Sequence, residues 1–282
     1  DYDLHKTTRY LLDVLQKYKA KAVFFVVGKI IEEHPELIKE IASAGHEIAL
    51  HGYEHEYLDK LTKEELIKFG ENLLRMGNLL EKITGRFPSG FRAPFLMSPL
   101  FHTPMLYRVL KECGYIWISN RSIRHEREFL RPGKLPFAKL LIISHMMRTL
   151  LFISLNWRFV CIDTVNATSP MPLITNLRWL LYGMPPFERN GLIEIPAHAP
   201  FDCELVGLPR PDESTAQVLI DYAADSLIQN TRDAKGPYNI SFHDWIMGSN
   251  NRTQILERVL STLSKDENIK FVLPDELIQN YV

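Results

Sequence analysis

His51 and His55 stand four positions apart in His51-Gly52-Tyr53-Glu54-His55, directly after the apolar run Ile48-Ala49-Leu50. Two imidazoles at this spacing can converge on one metal ion, across a helical turn or around a tight loop. Gly52 lets the backbone turn sharply where a strand would end. The pattern reads as a metal site at the C-terminal end of a strand, and such a site points to an enzyme. A zinc-type site with an open position needs a third protein ligand. Asp1 and Asp3, just ahead of the first helix, are the candidates. Alone, the pair is as readily two ordinary histidines; its place after a strand and the partners below raise it.

The elements that must position these residues alternate. Thr8 to Lys19 carries apolar residues at helical spacing, and Ala22 to Gly28 is a short apolar run expected as a strand buried on both faces. His34 to Ala44 reads as a helix with Pro35 in its first turn, and Glu47 to Leu50 as the next strand. Thr62 to Thr84 is a long amphipathic helix in which Thr62 and Glu65 can form a capping box. A strand ends near Arg92, a helix covers Pro104 to Cys113, and strands are expected at Tyr115–Ile118, Gly191–Ile195, Tyr238–Phe242 and Ile269–Val272. Helices are expected at Thr215–Asn230 and Arg252–Ser264. Repeated strand-then-helix units imply a parallel sheet, open or closed into a barrel, with its chemistry at the C-terminal strand ends. The histidine pair, Arg92 and His243 all fall at such ends, as does His198 in Pro196-Ala197-His198-Ala199-Pro200. For His198, and for Asp202 in the same loop, structural and pocket-lining roles stand level. His5, His34, His46, His102, His125 and His145 are expected to be ordinary. Tyr53, Phe95, Trp117 and Trp245 could stack on sugar faces, though core packing is the commoner fate of aromatics.

Gly45 to His55 resembles the second motif of the polysaccharide deacetylase family (the NodB homology domain, carbohydrate esterase family 4). Phe91-Arg92-Ala93-Pro94-Phe95 resembles its Arg-x-Pro motif, Lys19 to Gly28 its second-strand sequence, and Ile240-Ser241-Phe242-His243 its late strand-end histidine motif. Gly191 to Pro196 is similar to the strand before that. The matches run in family order over most of the chain. The resemblance implies a distorted (β/α) barrel of seven or fewer strands, with the first strand outside this chain. It implies one divalent metal held by Asp-His-His, with Zn2+ first and Co2+, Ni2+ or Fe2+ suiting the same donors. It implies hydrolysis of an N-acetyl group on an amino sugar or polysaccharide. The family's opening motif carries two aspartates, a base and a ligand, and this chain begins inside it. One alignment makes Asp1 the base and Asp3 the ligand; a gap-free match of the first helix makes Asp1 the ligand. Arg92 would pair with the base, keeping it ionised and oriented. His243 would be the acid that protonates the leaving amine; the adjacent Asp244 could tune it, though a solvated loop residue is its commoner role. Tyr53, Pro94, Phe95 and His198 are the expected substrate contacts.

Composition bounds the rest. The chain has 282 residues, 46% of them hydrophobic, and a formal net charge of -1. That suits one domain over residues 1–282 and argues against nucleic acid as a partner, since phosphate binding needs clustered Lys and Arg. Cys113, Cys161 and Cys203 have no pair spacing, so a reducing, cytoplasmic compartment is the expectation. Secretion stays open, because the chain opens on Asp1 with no initiator Met. Residues 135–184 are long and apolar, and His145 and Arg148 keep any segment short of a membrane span of about 18 residues. This insertion reads as a lid or helical hairpin; the sharper reading is an interfacial element and a lipid-linked sugar substrate. A small amide is a further alternative substrate. A non-catalytic sugar-binding module that lost its base is the reading from another class. No nucleophile elbow, Walker loop or dinucleotide fingerprint competes.

Overall fold

The computed structural model describes residues 2–58, 61–96, 104–120, 122–124, 187–189, 191–234 and 236–279. The insertion at 135–184, Cys161 and Asp1 lie outside the described residues. The chain opens with helix α1 (Leu4–Lys17), followed by β1 (Val23–Val26), α2 (Gly28–Glu33), α3 (Pro35–Ser43) and β2 (Glu47–Leu50). Then come α4 (Lys63–Thr84), β3 (Gly90–Phe91), α5 (Pro104–Glu112), β4 (Trp117–Ile118) and β5 (Ser122–Arg124). After these stand β6 (Phe187–Arg189), β7 (Leu192–Glu194), β8 (Ala197–Ala199), α6 (Asp202–Val206), α7 (Gln217–Asp233), α8 (Asp244–Met247) and α9 (Thr253–Leu263). A short helix, Pro274–Ile278, follows.

The main sheet has the order β1-β2-β3-β4-β7-β6. It is parallel from β1 through β7, and only β6 runs antiparallel, beside β7. β5 and β8 form a separate parallel pair. The architecture is α/β, the parallel-sheet arrangement of a distorted (β/α) barrel.

Two apolar clusters hold it. One face of α4 (Leu66, Phe69, Leu73, Met76, Leu80) packs with Phe91, Leu106 and Leu110. Leu11, Val14 and Leu15 of α1 pack with α7 and α9 in the second. α4 starts where the sequence says it should. Thr62 Oγ1 accepts from the Glu65 N–H at 3.2 Å while Glu65 returns the bond at 2.8 Å, and Gly85 closes the helix with a left-handed φ of 81°.

Three expectations change. β1 is half-buried rather than buried on both faces, because it stands first in the strand order and one of its edges has no ladder among the described residues. Tyr238–Phe242 and Ile269–Val272 form no ladder among the described residues. The Asn239 carbonyl accepts from the His198 N–H at 3.1 Å, but the Asn239 N–H goes to the His198 imidazole at 3.0 Å instead of to a strand carbonyl, so the contact does not grow into a ladder. Finally, α2 fills the space between β1 and α3, which the sequence leaves as loop.

The N-terminal end of β2 carries a buried carboxylate. Glu47 Oε1 accepts from Ser89 Oγ and Trp117 Nε1, each at 3.1 Å. Burial, with the charge of Asp275 as the next cause, pushes the Glu47 carboxyl up to about 7 from its usual 4.5. A raised folded-state pKa gives stability that is complete below about 4.5 and lost as pH rises through about 7. Wild type should therefore lose on the order of 2–3 kcal/mol relative to Glu47→Gln across that window. Denaturant melts of both proteins at several pH values check this, and parallel stability curves would refute it.

Candidate active site

The ladder itself assembles the site. Leu50 pairs with Phe91, and Phe91 with Ile118. One step beyond these pairs stand His51, Arg92 and Ser119, side by side past the C-terminal ends of β2, β3 and β4. Their backbones stay pinned. The His51 N–H donates to Val26 O, the Arg92 N–H to Leu50 O and the Ser119 N–H to Phe91 O, all at 2.9 Å. Gly52 then turns with a φ of 78°, where a Cβ would meet the Glu56 carboxylate at 2.4 Å. The turn returns His55, itself at a left-handed φ of 64°, to the same place. The two rings stand 4.9 Å apart, edge to face.

His51 Nδ1 lies 2.9 Å from the Arg92 carbonyl, which orients the ring and leaves Nε2 on the open side. Burial pulls the His51 pKa down to about 3, and it also lowers that of His55, so both are neutral imidazoles near pH 7. A pair of neutral nitrogens on a pinned turn is a donor set that fits a borderline divalent metal. Asp3 is not brought to both histidines. Its Oδ1 caps α1 by accepting from the Lys6 N–H at 3.0 Å. Among the described residues, the groups of His, Cys, Asp and Glu whose ligand atoms lie within 4.8 Å of one another are His5–His34–Glu36 and Asp202–Cys203–His243.

Arg92 is buried at 7% exposure. Its Nη2 donates to Ser119 Oγ at 2.8 Å, its Nη1 to Ser241 Oγ at 3.0 Å, and its guanidinium lies 3.8 Å over the Phe25 ring. Its Nε has no partner among the described residues. Burial lowers its pKa to about 9, which leaves it charged at neutral pH, and the charge of Glu194 acts the other way. A buried cation whose partners among the described residues are hydroxyls has unused capacity for an anion.

His243 and Asp202 form the best-built contact. His243 Nδ1 lies 2.7 Å from Asp202 Oδ1, and the His243 N–H donates to Asp202 Oδ2 at 2.5 Å. Asp202 is fully buried. The hydrogen bond to Asp202 raises the His243 pKa, against desolvation. Sequence proximity offers Asp244 as a tuning carboxylate, with a solvated loop residue as its commoner role. That residue contributes through its charge alone and accepts from the Tyr2 hydroxyl. Asp202 is instead the orienting partner, 41 positions away in sequence. The signal available was its place in the loop after a strand end.

The expected substrate contacts divide. Phe95 is 54% exposed, stacks on Tyr57 at 4.0 Å and meets the His55 ring at 4.4 Å. Tyr57, 49% exposed, was not singled out by its sequence position. Tyr53 turns toward the helices, where its hydroxyl donates to Glu32 at 2.6 Å. Pro94 is buried, close to where a Cβ on Gly52 would sit. His198 is buried and accepts from the Asn239 N–H. Trp117 is buried beneath the sheet end, while Trp245 lies 5.9 Å from the His243 ring.

Residues 1–118 match the polysaccharide deacetylase family. A stretch of 89 residues is 34% identical to peptidoglycan-N-acetylmuramic acid deacetylase PdaC of Bacillus subtilis (strain 168), covering 32% of this chain and 18% of that one. A stretch of 128 residues is 29% identical to a peptidoglycan-N-acetylglucosamine deacetylase of Bacillus cereus, covering 45% of this chain and 55% of that one. The matched segments thus span well under two thirds of these relatives. Over 97% of the chain, the fold is similar to a crystal structure described as a polysaccharide deacetylase from Mycobacterium smegmatis, with a TM-score of 0.62 at 20% identity and 76% of that chain covered. Over 98% it is similar to the Puue allantoinase, with a TM-score of 0.60 at 15% identity and 72% of that chain covered. At such identities the likeness is one of fold. The family match thus lies in residues 1–118 of a 282-residue chain, and there the chain is similar to polysaccharide deacetylases.

Proposed function

We propose that this chain is a metal-dependent hydrolase that removes N-acetyl groups from amino sugars of a polysaccharide, with peptidoglycan-type glycans as the first substrates to test. The observation that carries the reading is the meeting of a neutral imidazole pair and a buried arginine past adjoining strand ends with a carboxylate-anchored histidine whose charge acts on both imidazoles. His51 and His55 would hold the ion, with the opening segment that carries Asp1 and Asp3 as the source of a carboxylate ligand. When bound, a divalent metal supplies Lewis acidity, polarising the acetamide carbonyl and lowering the pKa of water toward about 7.

The remaining work falls to side chains. Arg92 keeps positive charge beneath the reacting centre and favours an ionised carboxylate beside it. An amine leaves only when protonated. With Nδ1 bonded to Asp202, His243 presents Nε2 to hold that proton and deliver it to the leaving nitrogen. The Tyr57–Phe95 stack offers an exposed apolar face next to His55 on which a sugar ring can lie.

Acetate release from an N-acetylated chitooligosaccharide and from peptidoglycan tests the reading. Turnover should disappear on chelation and return with Zn2+. Metal uptake without turnover on any acetylated sugar would instead favour a non-catalytic sugar-binding module.

A further inference from the structure

His5, His34 and Glu36 bring three ligand atoms together outside the strand-end site, with which they share no residue. His5 Nε2 and His34 Nδ1 are 3.1 Å apart. Glu36 Oε1 lies 3.6 Å from the first and 3.9 Å from the second. The rings meet edge to face with centroids 4.9 Å apart.

The backbone holds all three. His5 sits in the first turn of α1 and Glu36 in the first turn of α3. His34 ends one helix and begins the next. Its N–H donates to Ile30 O at 2.9 Å, and its carbonyl accepts from Leu37 at 3.1 Å and Ile38 at 3.3 Å. Pro35 follows with a restricted φ. One turn further along each helix, on the same faces, Arg9 and Glu40 form a two-pronged ion pair at 2.9 and 2.8 Å. That pair bridges α1 and α3 one turn from the three ligand atoms.

Hydrogen bonding accounts for only part of the group. The 3.1 Å contact suits two neutral imidazoles, but 3.6 and 3.9 Å are too long for the carboxylate to be bonded to either ring. Around an ion with bonds of about 2.0–2.1 Å, tetrahedrally placed ligand atoms stand about 3.3–3.4 Å apart. The three observed separations bracket that value. Two imidazoles and a carboxylate select a borderline transition metal over Ca2+ or Mg2+, which prefer oxygen-only shells. Both histidine side chains are about one-third exposed, so an ion can enter.

We propose that His5, His34 and Glu36 form a second divalent transition-metal site that ties α1 to α3. Such a tie holds the start of α1, directly after the segment that carries Asp1 and Asp3.

The test uses tag-free, chelator-stripped full chain titrated with Zn2+ by calorimetry and with Co2+ by visible absorption. Wild type, His5→Gln, Glu36→Gln and His51→Ala are compared. His5→Gln and Glu36→Gln keep good helix formers at partly exposed positions, so the fold should persist. Each should weaken one binding event by at least about tenfold. In the His51→Ala background, Zn2+ should still raise Tm, and adding His5→Gln should remove that rise. Unchanged titrations in His5→Gln and Glu36→Gln, or a Zn2+-dependent Tm rise that survives His5→Gln in that background, would overturn the site.

Discussion

Asp202→Asn should lower the deacetylation rate by roughly 10²–10³-fold while the protein keeps its metal. The carboxylate is fully buried and bonded to both Nδ1 and the backbone N–H of His243. Its removal releases the ring from the orientation that points Nε2 outward. It also removes the largest cause of the raised His243 pKa. An acid works only while protonated, so the rate falls as pH rises through that pKa. With Asp202 the fall comes later; in Asp202→Asn the basic limb of kcat/KM should move to lower pH. His243→Gln should lose a similar factor, and the double variant little more, because the two residues act as one unit. A full-rate Asp202→Asn with an unmoved limb would remove this pair from the chemistry.

His51→Ala should abolish metal uptake at the strand-end pair and reduce activity to background. The substitution deletes one of two imidazoles and leaves the Arg92 carbonyl without its partner. The position lies past the ladder, so the sheet itself should stand, and far-UV circular dichroism checks that. Metal analysis on chelator-washed protein is the readout, scored by the equivalent that His55→Ala also loses. Full occupancy in both variants would refute the assignment. Comparison with Asp202→Asn separates the two halves of the proposal: one loses metal and rate together, the other loses rate alone.

Much of the fold was legible. Periodicity marked α4, and Thr62, Glu65 and Gly85 marked its ends, because capping is local chemistry between residues three apart. Strand β2 and the turn at Gly52 were equally local. Tyr238–Phe242 misled, since β-rich composition describes a residue's preference and not whether a neighbour's backbone offers a ladder. In the site, Arg92 is legible from its place at the end of β3, and His243 from its motif, although the segment before it pairs in no ladder among the described residues. The choice of Asp202 over Asp244 is not legible, because hydrogen-bond partners are set by loops that meet in space. His5 and His34 passed as ordinary for the same reason: nothing in a separation of 29 positions brings two rings together.

Read alone, the chain carries the residue types, the alternation of elements and a motif order resembling that of the polysaccharide deacetylases. These follow from short-range propensity and from patterns readable within a few positions. Only the tertiary structure decided which charges meet. Parallel register aligned His51, Arg92 and Ser119 past three strand ends. Burial then lowered the His51 pKa, and the hydrogen bond to Asp202 raised that of His243. Both effects depend on local solvent exclusion and on distances of about 3 Å between remote segments, which no linear spacing encodes.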